Sequence, residues 1–171
     1  MTQQLLLASP GNPVLFAASG LGDILWTPQA TAVAHGRLSN CWDRGVGPLP
    51  IRHRWMACCR WAATPAANDR WSLYLVTGNS PDSVGMIDAA FSPGDADLSS
   101  ENELTANALG IGTVLATAVD KLFVASGLVE LYSRFVTIAG WNGSATKALT
   151  NTAADFYLRL DPLPPALQPP A

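Results

Sequence analysis

Charged side chains are scarce in this sequence. Asp, Glu, Lys and Arg supply 13% of its 171 residues, whereas a globular domain usually carries roughly 25%. A surface with so few charges must be hydrated by neutral polar groups or covered by neighbouring subunits. The hydrophobic fraction of 49% favours the second explanation, because an apolar excess usually marks a buried patch. We therefore expect a protein that associates with copies of itself and with other proteins.

Net positive charge and long apolar runs are also missing. The net charge of −3 and the pI near 5.1 offer no general attraction for nucleic acid or for an anionic membrane. The apolar run at residues 5–7 is too short for a signal peptide and has no basic flank. No stretch approaches the roughly 18 apolar residues of a membrane helix. We expect a soluble protein with no direct nucleic-acid partner and no membrane partner.

Side chains that usually carry catalysis are few. His35 and His53 are the only histidines, and we expect His53 to be a core histidine because no acidic partner is signalled nearby. No nucleophile elbow, zinc-binding HExxH or phosphate-binding loop is present. The vicinal pair Cys58 and Cys59, with Cys41 as the odd third, makes a poor disulfide framework. We expect reduced cysteines, with one of the vicinal pair buried and the other near the surface, no cofactor, no metal and no enzymatic activity.

One acidic cluster imitates the start of a calcium-binding loop. Its sixth position lacks the required glycine, and Ala106 stands where a bidentate glutamate is needed. We therefore predict a solvated surface loop for its members, which are Asp95, Asp97, Ser99, Glu101 and Glu103.

Short alternating segments punctuated by glycine and proline dominate the sequence. The clearest is Arg52–Trp61, where apolar side chains and His53 alternate with arginines, as in a half-buried strand. Its predicted core face holds His53, Trp55, Ala57, Cys59 and Trp61, and its other face holds Arg52, Arg54, Met56, Cys58 and Arg60. Arg70–Thr77, with Trp71, Leu73 and Leu75 on one face, and Ala154–Leu160 are the next clearest strands.

The remaining segments are assigned from composition and turn signals. Ser126-Gly127 separates two strands, and Asn142-Gly143 predicts a two-residue hairpin turn. Gly110 and Gly112 indicate close packing or a bulge inside a strand, and a capping pattern predicts a helix at Ser100–Leu109. The other predicted strands are Leu21–Thr27, Thr31–Asn40, Val84–Phe91, Gly110–Thr117, Lys121–Val124 and Leu128–Trp141.

Turn signals recur every 8–12 residues or so, which predicts an all-β, antiparallel β-sandwich of jelly-roll type with extended terminal arms. We divide the chain into an N-terminal arm (1–20), one sandwich domain (21–162) and a Pro-rich C-terminal arm (163–171). The C-terminal arm should be extended, since its prolines cannot join a sheet interior. We expect it either to be disordered or to lie over a neighbouring subunit, and in the second case Pro164 and Pro165 contact that interface.

Two sets of side chains are candidates for an interface. Arg52, Arg54 and Arg60 share one strand face without the interleaved aromatics that single-stranded nucleic acid requires. We expect them at a protein interface, or in an ion-pair network with Asp155 or Asp161. Trp42 and Trp141 lie in or beside predicted turns, so we expect them to be exposed, as protein contacts or as a sugar-binding platform.

From its middle strands onward, the chain resembles structural proteins of tailed bacteriophage particles. The stretches that carry the likeness are Trp71–Thr77, Gly85–Phe91, Leu109–Val114 and Ser133–Ser144. In the shared layout, a strand ends in an Asn-Gly-Ser turn and is followed by a closing strand and a Pro-rich end. The resemblance brings no catalytic residues with it.

This resemblance implies a β-sandwich on the capsid surface of a virion that is assembled in the host cytoplasm. There it would decorate or cement the head shell, often as a trimer bound to the major capsid protein. A tail, neck or baseplate component is the alternative, because composition does not separate the two. A carbohydrate-binding module that uses Trp42 or Trp141 is the third hypothesis.

Overall fold

The computed structural model describes residues 11–47, 49–67, 69–78, 80–81, 94–116 and 122–164. Within these ranges the chain is almost entirely β, which confirms the predicted fold class. A short 3-10 helix covers Ala153–Asp155, and the one α-helix, α1, covers Glu101–Asn107. The strands are β1 (Val14–Ala17), β2 (Ile24–Leu25), β3 (His35–Leu38), β4 (Trp42–Asp43), β5 (Arg52–Cys59), β6 (Arg70–Gly78), β7 (Asp97–Leu98), β8 (Leu109–Leu115), β9 (Phe123–Glu130), β10 (Phe135–Asn142) and β11 (Tyr157–Pro162).

The strands form two sheets that pack face to face. The first sheet has the order β2-β1-β11-β5-β9, and the second has the order β7-β3-β10-β6-β8 with β4 added beside β10. Every pair is antiparallel except β1 with β2. The antiparallel sandwich predicted from the sequence is therefore confirmed.

Aromatic side chains fill the space between the two sheets. Trp55 and Trp61 enter from the first sheet, as the alternation in β5 predicted, and His53 is buried on the same face. Trp71 enters from β6 and stacks on Trp26, with ring centroids 5.3 Å apart. Leu73 and Leu75, which share the face of Trp71, are buried as expected.

A second apolar cluster covers the outer face of the second sheet. Tyr74 and Val76 of β6 and Trp141 of β10 lie there beneath Leu98 of β7 and Leu104 of α1. β6 and β10 of the second sheet are therefore buried on both faces, while the outer face of β5 in the first sheet keeps its exposed arginines. None of the helices in the described ranges is long and apolar enough to span a bilayer.

Glycines make room for Trp55 in the core. A Cβ atom at Gly112 of β8 would lie 2.4 Å from two carbons of the Trp55 ring, and one at Gly127 of β9 would lie 2.6 Å from its Nε1. The β6–β8 register also shifts between Leu73 and Tyr74. Both interpretations of Gly110 and Gly112 in β8, close packing and a bulge, are thus confirmed.

The structure corrects several predicted boundaries. Ser126-Gly127 is not a break, because Gly127 lies inside β9 opposite Trp55, and the chain turns instead at residues 131–134. Val14–Ala17, predicted as part of the N-terminal arm, pairs with β11 and so belongs to the sandwich. The helix is confirmed at Glu101–Asn107, but Ser100 makes no side-chain capping hydrogen bond. The predicted strand Val84–Phe91 lies outside the described residues.

The Asn142-Gly143 hairpin is also wrong. β10 pairs with β3, β4 and β6, and the strand that follows it, β11, lies in the first sheet. Asn142 ends β10 with its side chain fully buried, whereas a hairpin turn would present it to solvent. The segment is a crossover from one sheet to the other.

Both vicinal cysteines are buried, although one was expected near the surface. Cys58 points to the outer face of β5, where Val124 of β9 and Tyr157 of β11 stand directly beside it in register. Burial, with the nearby charge of Asp155 adding to it, raises the pKa of the Cys58 thiol to about 11. All three cysteines are free thiols, and Cys58 stays protonated at neutral pH.

Gly112→Ala should destabilise the sandwich, because the new methyl group collides with the Trp55 ring inside the core. We expect a loss of about 1–3 kcal/mol in the free energy of unfolding, measured by urea denaturation. Gly110→Ala in the same strand is the matched control, since its Cβ would meet nothing closer than 3.9 Å. Equal losses in the two variants would contradict the role given to Gly112.

Candidate interaction surfaces

The predicted arginine face of β5 is exposed, and aspartates neutralise part of its positive charge. Arg54 Nη2 lies 3.2 Å from Asp161, and Arg60 Nη1 lies 3.5 Å from Asp155, which confirms the expected ion pairs for these two arginines. The interface predicted for Arg52, Arg54 and Arg60 stays a prediction. Arg159 Nε donates a 2.6 Å hydrogen bond to Asp161 as well. Burial would raise the pKa of Asp161, but the bonds from Arg159 and Arg54 outweigh it and hold that pKa below its ordinary value.

A shallow cleft of about 430 Å³ opens on the same outer face of the first sheet. Its two charged side chains are already engaged: Asp23 accepts a 2.9 Å hydrogen bond from the backbone N–H of Leu15, and Arg159 is bound to Asp161. The lining residues are Pro13, Leu15, Asp23, Met56, Tyr157 and Arg159. The cleft offers mainly apolar contact area, with no side chain poised for proton transfer.

The two tryptophans predicted to be exposed are not open platforms. Trp141 is only 5% exposed, because β10 places it on the outer face of the second sheet, under the second apolar cluster. Trp42 is half-buried, stands edge-on to Phe16 and His53, and has the Arg44 guanidinium over its ring at 5.8 Å. Neither ring offers the open face that stacking on a sugar requires.

Arg44 clamps two loops at one end of the sandwich. Its guanidinium donates to the carbonyl oxygens of Leu131 (2.9 Å), Ser133 (2.7 Å) and Pro50. Arg134, in the opposite loop, donates two hydrogen bonds to the Asp43 carboxylate, from Nε at 2.7 Å and from Nη2 at 2.6 Å. That pairing lowers the pKa of Asp43 to about 2. The charged groups of Arg44, Arg134 and Asp43 therefore hold the two loops in place.

Apolar side chains protrude from these clamped loops. Val46 is 81% exposed and Tyr132 is 74% exposed, and Ile51 is also exposed. A 2.8 Å hydrogen bond from the Leu131 N–H to the Ile51 carbonyl joins the two loops. We call Val46, Ile51 and Tyr132 the apolar tip.

Both described ends of the chain leave the sandwich beside the apolar tip. The Leu163 N–H donates to the Arg52 carbonyl at 2.8 Å, which continues the β11–β5 ladder up to the exposed Pro164. Val14 pairs with Leu160, so residues 11–13 run alongside. Pro165, the other proline predicted at an interface, lies outside the described residues.

The acidic cluster is paired with cations rather than solvated throughout. Asp95 accepts bonds from Arg37 at 3.0 and 2.9 Å and from the Thr27 hydroxyl, and its side chain is 9% exposed. Burial would raise the pKa of Asp95, but the bonds from Arg37 and Thr27 lower it overall. Glu101 accepts from the Tyr74 hydroxyl at 3.0 Å. In the described ranges no three Asp, Glu, His or Cys side chains group as metal ligands.

Asn142 joins distant parts of the fold through its buried side chain, although its position before Gly143 predicts only a turn. Its Oδ1 accepts from the Trp61 indole N–H at 3.1 Å and from the Ser144 N–H at 3.2 Å. Its Nδ2 donates to the carbonyls of Ala32 (3.1 Å) and Lys147 (2.9 Å). One buried amide thus ties β10 to a tryptophan of the first sheet and to two loops. No local sequence signal distinguishes such an asparagine from one in a turn.

Comparison with known proteins adds no identification. No family model matches the chain, and no curated protein matches it significantly. The resemblance to bacteriophage structural proteins therefore stays a prediction.

Asn142→Ala should be strongly destabilising, because it leaves the buried Trp61 N–H and two backbone carbonyls without their partner. We expect a loss of about 2–4 kcal/mol in the free energy of unfolding, measured by chemical denaturation. Asn151→Ala, at an exposed asparagine, is the control and should change stability by less than about 0.5 kcal/mol. A small effect at Asn142 would contradict its role as a tie.

His53 should make stability depend on pH. Burial lowers its pKa, and the charge of Arg44 adds to this, against a raising contribution from the 3.2 Å hydrogen bond to the Ile51 carbonyl. The unfolded chain takes up this proton near pH 6.5, so stability falls as the pH drops through about 6.5 towards the lower pKa of the folded state.

His53→Gln should remove that part of the fall, measured as the unfolding free energy against pH. His35→Gln, at an exposed histidine, is the control and should keep the wild-type slope. An unchanged slope in His53→Gln would assign the pH dependence to other groups.

Proposed function

We propose that this chain is a non-enzymatic structural protein of a tailed bacteriophage, a decoration or cement protein that binds the outer head shell. The observation that carries the proposal is the end of the sandwich where the apolar tip and both chain ends lie together. The sparse charges support it further, because they largely satisfy one another, as in the pairs Arg134–Asp43 and Arg54–Asp161. Such a surface suits packing against neighbours more than steering of charged substrates.

We also infer that the sandwich is a jelly roll. If the eight strands of four or more residues are renumbered one to eight along the chain, the first sheet reads 1-8-3-6 and the second reads 2-7-4-5. First and last strands lie side by side, and the chain crosses between the sheets at every step except from four to five, as two Greek keys require. This arrangement is common among viral capsid domains, so it supports the proposed role. Lectins and cupins share the fold, so the fold alone does not carry the proposal.

The proposed mechanism is mechanical. Each copy would seat its apolar tip on the major capsid protein, and burial of apolar area stabilises such a contact by roughly 25 cal/mol per Å². The described ends of the chain, at residues 11 and 164, lie beside the tip, so a segment that continues from either end would start next to the same neighbour. Repetition over many copies would add these contacts across the shell and oppose the outward pressure of packaged DNA.

Two other roles remain as outcomes of the tests. A tail, neck or baseplate component would use the same kind of surface but occur in six or twelve copies per particle, as expected from symmetric assembly. A sugar-binding module has less support, since Trp141 is buried and Arg44 covers Trp42.

Replacing the apolar tip should weaken binding to phage heads. Val46→Ser/Tyr132→Ser removes two exposed apolar side chains, and we expect at least about a tenfold loss of affinity, measured by co-sedimentation of purified protein with isolated heads lacking it. Leu21→Ser, at an exposed leucine beyond the other end of β1, is the matched control.

Two results would count against this proposal. Unchanged affinity in the tip variant would contradict the tip as the binding surface. Absence of the wild-type protein from the head lattice, seen by cryo-electron microscopy of intact particles, would exclude the head role.

A further inference from the structure

The outermost strand of the first sheet, next to β5, is β9, and β8 of the second sheet lies close beside it. Within the described residues, β9 pairs with β5 alone, in an unbroken antiparallel register from Cys59↔Phe123 to Arg52↔Glu130. The strand contains no proline, lysine or bulge. Those are the devices by which proteins usually protect an exposed edge from pairing with another strand.

The hydrogen-bond pattern identifies which backbone groups face the open edge. The Leu131 N–H donates to the Ile51 carbonyl at 2.8 Å, and hydrogen-bonded pairs alternate along an antiparallel ladder. The odd-numbered residues of β9 therefore bond to β5. The N–H and C=O groups of the even-numbered residues point away from it, which are those of Val124, Ser126, Leu128 and Glu130.

The same even-numbered positions carry exposed apolar side chains. Val124 is 56% exposed and Leu128 is 62% exposed, and both lie on the outer face of the first sheet. Among the described residues only β5 pairs with β9, so an added strand would meet the backbone and the side chains of the same positions.

The sequence of the edge is nearly symmetric about Ser126. Residues at equal distances before and after Ser126 are of similar type: Ala125 corresponds to Gly127, Val124 to Leu128, and Phe123 to Val129. A two-fold contact between identical strands requires such self-complementarity, because each residue meets its symmetry counterpart. An unrelated peptide would not need it, and this symmetry selects a second copy of the chain as the occupant.

We propose that two copies of this protein pair through β9, antiparallel and two-fold about Ser126, so that their first sheets join into one continuous sheet. In this register Ser126 hydrogen-bonds to its counterpart, and Val124 of each copy meets Leu128 of the other in a hydrogen-bonded pair. The open-edge backbone groups identified above are those that this register requires. The two Val124–Leu128 pairs then pack on either side of the central Ser126 pair.

The corresponding edge of the second sheet is less suited to this contact. β8 carries the register shift opposite Leu73 and Tyr74, and a bulge at an edge disturbs the regular spacing that an added strand needs. The glycines that accommodate this irregularity and the Trp55 ring, Gly110 and Gly112, lie in the middle of the strand.

The purpose of this contact rests on the structural role proposed above. Its test needs only the purified protein and no capsid. An edge-strand contact is smaller than the roughly 1,600 Å² of a standard interface, so we expect a weak dimer. Sedimentation equilibrium over micromolar to millimolar concentrations should give a mass that rises from one chain to two.

Two double variants test the register itself. Val124→Lys/Leu128→Lys places like charges opposite each other twice, and it should abolish the dimer while the melting temperature of the monomer stays close to wild type. Val124→Lys/Leu128→Glu adds the same number of charges but places opposite charges in both pairs. It should restore the dimer, and added salt should weaken that dimer. Leu21→Lys, at an exposed site beside β1 and β2 at the other edge of the first sheet, is the control and should dimerise like the wild type.

The outcomes separate this contact from the proposed function. A wild-type monomer at all concentrations, a trimer whose mass ignores the Val124 and Leu128 substitutions, or equal behaviour of the two double variants would overturn the β9 contact. A monomeric protein that still bound heads would leave the structural role standing. A dimer that bound no heads or tails would retain the contact and remove that role.

Discussion

The sandwich depends on matching tryptophan rings to glycines across its core. The Trp55 ring fits only because Gly112 of β8, across the core, and Gly127 of β9, beside it in the same sheet, leave space for it. The stacked Trp26–Trp71 pair lies against Gly140 of β10, where a Cβ would come within 2.8 Å. Close-packed interiors tolerate little overlap. These contacts fix how far apart the sheets lie and which strands face each other, and the exposed surfaces follow from that arrangement.

The two sheets use their outer faces differently. The central strands of the second sheet, β6 and β10, are covered by the chain itself, through Leu98 and Leu104, and so become an internal layer. The first sheet keeps an outer face of arginines, aspartates and a shallow apolar cleft, with β9 as the outermost strand beside β5. Interactions with other molecules are therefore expected mainly on the first sheet and at the end where its strands and the chain ends meet.

Scarce charge is concentrated where it holds loops in position. Arg44 binds backbone carbonyls of two loops, Arg134 binds Asp43 from the other side, and Arg37 holds Asp95 against β3. These groups leave apolar side chains exposed between them without adding a strong field of either sign. A surface of this kind fits stable packing against neighbouring proteins, which is the basis of the proposed structural role.

Several features could be read from local pattern. Period-two alternation identified the buried face of β5 and its arginine face, and the paired glycines of β8 predicted close packing and a bulge. The partners Asp155 and Asp161 were also anticipated, because opposite charges on neighbouring strand faces tend to pair. Alternation reports which side chains share a face, so it identified Trp71, Leu73 and Leu75 of β6 but not the burial of the opposite faces of β6 and β10. The expectation that Trp141 is exposed rested on the turn signal at Asn142-Gly143, and it failed because no hairpin forms there and the outer face of β10 is covered.

By itself, the sequence determined the strand periodicity, the shortage of charge and the tryptophan-rich core, because these depend on residue type and spacing along one segment. Tertiary structure alone decided that Asn142 ends a crossover strand as a buried tie, that Gly127 lies within β9, and that Val46, Ile51 and Tyr132 meet at one end. Each of these facts depends on which distant segments are brought together. Pairing between strands far apart in the chain is governed by packing complementarity across the whole core, which no local pattern encodes.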